Sequence, residues 1–130
     1  MTSTTIGPRL GLLLRGLLTA VFLAAAGMKF AALPFEVEGF ARFGYPLWFM
    51  YGVGAAQALG AALLWGRGTR AHGALLLAVI MVGAVVSHLR AGDPPAMAVP
   101  ALVLLGLLAG LAYAHRRDLV PAGLQVAARV

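Results

Sequence analysis

Apolar residues along this chain fall into four long blocks separated by short breaks rich in glycine, proline and charge. The cleanest block runs from Trp48 to Trp65, WFMYGVGAAQALGAALLW, and holds no charged residue. Its seventeen steps, at about 1.5 Å each, make a helix of about 26 Å, close to the hydrocarbon thickness of a bilayer. Tryptophan favours the headgroup level because its ring is apolar while its indole N–H wants a wet partner. The block therefore reads as a membrane-spanning helix anchored at both faces, with the Gln57 amide midway. The remaining blocks predict three more spans, so that the set is about 9–33, 46–66, 71–90 and 95–114.

The breaks have their own chemistry. In PFEVEGFARFGY, 34–45, Pro34 can open a helix, while Gly44 and the pre-proline Tyr45 can close one. Phe35, Phe40 and Phe43 alternate there with Glu36, Glu38 and Arg42, which suits a short amphipathic piece lying in the membrane interface; an aromatic-rich loop is the alternative. Pro46 then leads into the second span, where Gly52, Gly54, Ala56 and Gly60 offer a small-residue surface to a neighbouring helix. GRGTRAHG, 66–73, is a tight basic turn. In AGDPP, 91–95, Asp93 can cap the fourth helix and Pro94 can take its first position. Gly106 and Gly110 have the GxxxG spacing of helix dimers, a motif that glycine-rich spans also produce by chance. Residues 1–8 are expected to be flexible, and 115–130 to be a basic tail. Ala24-Ala25-Ala26 also suits a signal-peptidase site, but the run is read as a retained first span.

Composition agrees with a membrane class: 62% of residues are hydrophobic and 11% charged. Without cysteine, neither a disulfide nor a thiolate metal site can form. The net charge of +6 does not point to nucleic acid, because the arginines sit scattered at the borders of apolar blocks. They sort by side instead. The first, third and fifth aqueous segments hold seven Lys and Arg residues, and the second and fourth hold three. The positive-inside rule then places both termini in the cytoplasm, with the 34–45 segment and the GDPP turn outside. The expected fold is all-α: an integral membrane four-helix up-down bundle, residues 9–114, with a short interfacial segment between helices 1 and 2.

Three of the four acidic residues, together with Lys29, His88 and Arg90, fall at the outer ends of these spans. A polar group in hydrocarbon costs several kcal/mol unless partnered, so such residues are candidates for function. The expected site is a pocket beneath 34–45, with Glu36, His88 and Lys29 as catalytic groups and Gln57, Tyr51, Arg90 and Asp93 as ligand-binding ones. Histidine titrates near neutral pH, and a carboxylate such as Glu36 can act as a general acid or base. Each has a structural alternative. Lys29 can snorkel, as can Arg15; Gln57 can make an interhelical hydrogen bond; His88 can cap its helix; Asp93 can be an N-cap; and one of Glu36 and Glu38 can pair with Arg42. No HxxxH or ExxH spacing supports a metal, and no Walker loop, dinucleotide fingerprint or nucleophile elbow is present.

At AAAGMKF (24–30), EGFARFGYPLWFMYGVGAAQALGAALL (38–64) and GALLLAVIMVGAVVSHLRAGD (73–93), the chain resembles the DoxX-like family of small four-helix bacterial membrane proteins. The resemblance covers about residues 9–114 and attaches family features to Gly27 and Lys29, to Gly44, Tyr45 and Pro46, and to His88, Gly92 and Asp93. Relatives commonly carry glutamate in the second helix where this chain has Gln57, and glutamine cannot transfer a proton. The family name derives from a subunit of thiosulfate:quinone oxidoreductase. The resemblance therefore implies a location in the bacterial cytoplasmic membrane and quinone-linked redox chemistry, with a quinone as substrate or with a redox cofactor carried by a partner. Cofactor-free acid–base chemistry on a lipophilic small molecule from the bilayer is the other catalytic version. A non-catalytic subunit of a redox or stress complex, and an oligomeric transporter, are the alternatives.

Overall fold

The computed structural model describes residues 7–121 and is all-α; the expectations for 1–6 and 122–130 lie outside the described residues. Five α-helices follow in order: α1 (Pro8–Phe30), α2 (Pro34–Phe43), α3 (Leu47–Leu63), α4 (Arg70–Arg90) and α5 (Val99–Ala114). Single 3-10 turns, Pro95–Ala98 and Arg116–Leu119, flank α5. The helix α1, the helix α4 and the segment Pro95–Ala114 are each long and apolar enough to cross a membrane; α3 is a shorter apolar helix of 17 residues.

Proline and glycine set the boundaries. Pro8 and Pro34 open α1 and α2 at positions whose N–H would have no helical partner anyway. Ahead of Pro34, Ala32 turns the chain with φ 50°, which ends α1 at Phe30 rather than at the expected 33. Gly44 closes α2 with φ 87°, and Tyr45 N–H donates to the Phe40 carbonyl at 2.8 Å. The fourth apolar block departs from expectation. Asp93 does not cap it, and Pro94 does not begin it; a 3-10 turn over Pro95–Ala98 leads into α5 instead. The Asp93 carboxylate is committed elsewhere, to His88 and Arg42.

The helices pack in sequence: α1 on α3, α3 on α4, and α4 on α5. Contacts fix their relative directions. Arg15, near the start of α1, reaches Leu64 at the end of α3, while Lys29, near the end of α1, lies against Gly54. Tyr45, just before α3, meets Ser87 near the end of α4, and Asp118, after α5, meets Ala71 at the start of α4. The core is built from Leu18, Phe22, Leu64, Leu77, Leu108 and Leu111 with interleaved alanines. Outward faces remain apolar: Leu13, Leu17, Trp48, Val79 and Leu102 are all at least half exposed. So much outward apolar surface suits lipid rather than water.

Small residues bring the backbones together. A Cβ on Gly60 would lie 2.6 Å from Leu77 Cγ, and one on Gly54 would lie 3.2 Å from Lys29 Cβ. Gly73, not singled out from the sequence, makes the tightest backbone contact, since a Cβ there would lie 2.6 Å from the Gly60 carbonyl oxygen. Gly52, Gly106 and Gly110 face open space among the described residues. Arg15 departs from the expected snorkelling. It is 9% exposed, donates to the Leu64 carbonyl at 3.2 Å, and stacks 4.6 Å from the Trp65 ring, whose indole N–H donates to Thr19 Oγ1.

Candidate functional site

The helix α2 touches both α1 and α4, and Lys29, Glu36, Arg42, His88, Arg90 and Asp93 lie at this end of the molecule. Lys29 lies in the last turn of α1, and Glu36 in the first turn of α2. Because the Ala31–Leu33 turn reverses the chain, Lys29 Nζ comes to 3.4 Å from Glu36 Oε1, with both side chains largely covered. The ammonium also stands 5.9 Å from the Phe40 ring centre. Lys29 therefore does not extend into solvent. Glu36 is the glutamate that turns inward, while Glu38 is exposed.

The second group is built by the turn after α4. Gly92, with φ 73°, folds the chain back so that Asp93 N–H donates to the His88 carbonyl at 3.1 Å. That reversal sets Asp93 Oδ2 2.6 Å from His88 Nδ1, and Arg42 of α2 donates to the other carboxylate oxygen. The hydrogen bond from His88, and then the bond and charge of Arg42, hold the Asp93 carboxyl below the usual carboxylate range. Asp93 is thus an acceptor at neutral pH, and Nδ1 must carry the proton it accepts. In neutral His88, that leaves the lone pair on Nε2, which has no hydrogen-bond partner among the described residues. Phe43 meets the imidazole edge-on, with ring centres 5.2 Å apart.

A third chain of bonds runs beside these. Ser87 Oγ donates to the Gly83 carbonyl at 2.7 Å, so its single proton is used. Tyr45 must therefore donate across the 2.7 Å to Ser87 Oγ, and Arg90 donates in turn to the Tyr45 oxygen at 3.2 Å. Tyr45 also belongs to a ring cluster with Phe40, Phe43 and Phe49. Deeper along α3, Gln57 is 3% exposed, and its Oε1 is buried without a donor. It stands one turn, about 4.5 Å, from Gly54, which touches Lys29.

Of the residues singled out from the sequence, Lys29 and Glu36 are brought together, as are His88 and Asp93, and Arg90 lies beside them through Tyr45. Tyr51 is not brought in: it is exposed and makes no hydrogen bond or ring contact among the described residues. Sequence reasoning gave Tyr45 a boundary role and a family feature but no place in this cluster, did not propose Ser87, and paired Arg42 with a glutamate rather than with Asp93. A signal for Ser87 was present, since a lone hydroxyl inside an apolar helix needs a partner. Among the described residues, no three His, Asp or Glu side chains gather closely enough to hold a metal ion.

Long apolar helices, outward apolar faces and a buried polar cluster at one end define an all-α membrane protein. The DoxX-like family model matches residues 13–111, and the chain belongs to that family. It is 36% identical over 92 residues to the uncharacterized protein YdgD of Bacillus subtilis (strain 168), a match covering 66% of this chain and 81% of the relative. No solved structure matches.

Proposed function

We propose that α1, α3, α4 and α5 cross the bacterial cytoplasmic membrane as a four-helix up-down bundle, with both termini in the cytoplasm. In this reading the protein binds a lipophilic small molecule at the Lys29 end, where His88 accepts a proton from it. The observation that carries the reading is the His88–Asp93 pair: a carboxylate 2.6 Å from Nδ1 fixes the tautomer and leaves Nε2 as a base. Arg42 holds the carboxylate in turn, so the imidazole is supported from behind.

The roles then sort by geometry. Lys29 and Glu36 already satisfy one another, so they serve best as the clasp joining α2 to α1. Gln57 Oε1, buried and lacking a donor, is the acceptor that would orient a ligand hydroxyl reaching in between the helices. Arg90 and Lys29 supply positive charge near any anion that proton removal generates. A quinone or quinol meets these demands, being lipophilic and carrying ionisable hydroxyls. Electron transfer would then rest on a cofactor held by a membrane partner.

A second reading also has an observation behind it. Lys29, Arg42, Asp93, Tyr45, Ser87 and Arg90 all find partners within the chain, as a purely structural latch over the helix ends would require. The protein would then be a non-catalytic membrane subunit. Lipophilic molecules retained by the purified protein, identified by mass spectrometry and compared between wild type and Gln57→Leu, separate the two. The expected result is a compound retained by wild type and lost from Gln57→Leu, bound as its anion to wild type but not to His88→Gln. Equal retention by wild type and Gln57→Leu, with the same ligand protonation state in wild type and His88→Gln, would leave only the latch.

A further inference from the structure

The opposite end of the molecule, where α1 begins and α5 ends, carries an unmet charge. A cavity of about 250 Å³ opens there between Gly7, Gly11, Arg15, Arg70 and His115, many times the space one water needs. Arg15 is 9% exposed, and its Nε is buried without an acceptor; Arg70 Nε is in the same position. Arg70 makes no hydrogen bond or ion pair among the described residues, and no carboxylate there pairs with Arg15. The two side chains line the same cavity, so two like charges share it. Asp118, the nearby acid, accepts from Ala71 N–H at 3.3 Å at the start of α4. Residues 1–6 and 122–130 contain no Asp or Glu. Both arginine side chains line this open space without a carboxylate partner, and the planar guanidinium fork matches phosphate oxygens.

We infer that this cavity is a binding site for a phosphate group, gripped by Arg15 and Arg70 with His115 alongside. The first turn of α1 adds free backbone N–H groups on the same side, since Gly11 is the first residue in that turn to donate within the helix. The group arrives either on a lipid, as the headgroup of an anionic phospholipid, or as a free phosphate. The site is separate from the His88 end and does not depend on the role proposed there.

The test uses the full chain in phosphatidylcholine nanodiscs, with thermal unfolding followed while either phosphatidylglycerol or inorganic phosphate is titrated. One of the two should stabilise the protein saturably. Arg70→Gln should weaken that response about tenfold or more, whereas Arg67→Gln, an exposed neighbour carrying the same charge, should leave it unchanged. Without added anion, Arg70→Gln should be at least as stable as wild type, because it removes one of two like charges that line the cavity. A response to phosphatidylglycerol alone assigns a lipid headgroup, and competition by inorganic phosphate assigns a free anion. Equal weakening by Arg67→Gln and Arg70→Gln, or no response to either titrant, would overturn the site.

Discussion

The contact between Gly60 and Gly73 offers a calibrated test of how α3 and α4 meet. A Cβ introduced by Gly73→Ala would sit 2.6 Å from the Gly60 carbonyl oxygen, 2.8 Å from Leu63 Cβ and 3.0 Å from Leu64 N. Two of those atoms are α3 backbone, so no side-chain rotation relieves the clash, and the helices must move apart. Overpacking of this kind costs about 1–3 kcal/mol. Alanine also gains about 1 kcal/mol over glycine inside a helix. Gly83 supplies the control: it lies in the same helix, and nothing stands within 4 Å of the Cβ that Gly83→Ala would add. Both variants receive the helix-propensity gain, so it cancels between them. Gly73→Ala should therefore be less stable than Gly83→Ala by about 1–3 kcal/mol. Denaturant unfolding in detergent micelles, followed by far-UV circular dichroism, measures the gap. Equal stability of the two variants would refute the α3–α4 crossing, and with it the placement of Leu64 that holds Arg15.

Asp93 is held below the usual carboxylate range by His88 and Arg42, so its contribution to stability is complete above the ordinary value of about 3.9 and is lost as pH falls through the lowered one. Asp93→Asn should flatten that acid limb in thermal unfolding against pH. Burial, then the charge of Arg70, lower the pKa of His115, so protonation favours the unfolded chain. Stability should hold above the ordinary value of about 6.5 and fall as pH drops below it, and His115→Asn should remove that fall. Ala32 sits at φ 50°, a left-handed conformation that strains an L residue, so Ala32→Gly should raise stability by about 0.5–1 kcal/mol in the same unfolding assay.

Which parts of this molecule were legible beforehand follows from what polarity encodes. Pro34, Gly44 and Pro46 end or begin helices through their own backbone chemistry, so the bounds of α2 and the start of α3 could be read within a few residues, whereas Pro8, expected in a flexible end, opens α1. The crowding of Lys29, Glu36, His88 and Asp93 at one end also followed, because helix length alone sets depth along the bundle. Rotation about each helix axis is different. A helix such as α5 is apolar all round, so no polar face says which side turns inward. That is why Tyr51 was expected beside these polar groups although Tyr45 stands there, and why the pairing of Arg42 with Asp93, 51 residues away, was not foreseen. The cavity at Arg15 and Arg70 was missed for a related reason: an arginine near a helix end reads as a snorkelling residue until its N–H groups are seen to lack acceptors.

The tautomer of His88 is the most direct test of the proposed proton acceptor. The chain has only three histidines, so nitrogen NMR of histidine-labelled protein in nanodiscs, with His88→Gln for assignment, resolves the ring. In its neutral form, His88 should carry its proton on Nδ1 and leave Nε2 bare, and Asp93→Asn should release that preference. A wild-type His88 protonated on Nε2, unmoved by Asp93→Asn, would contradict the account.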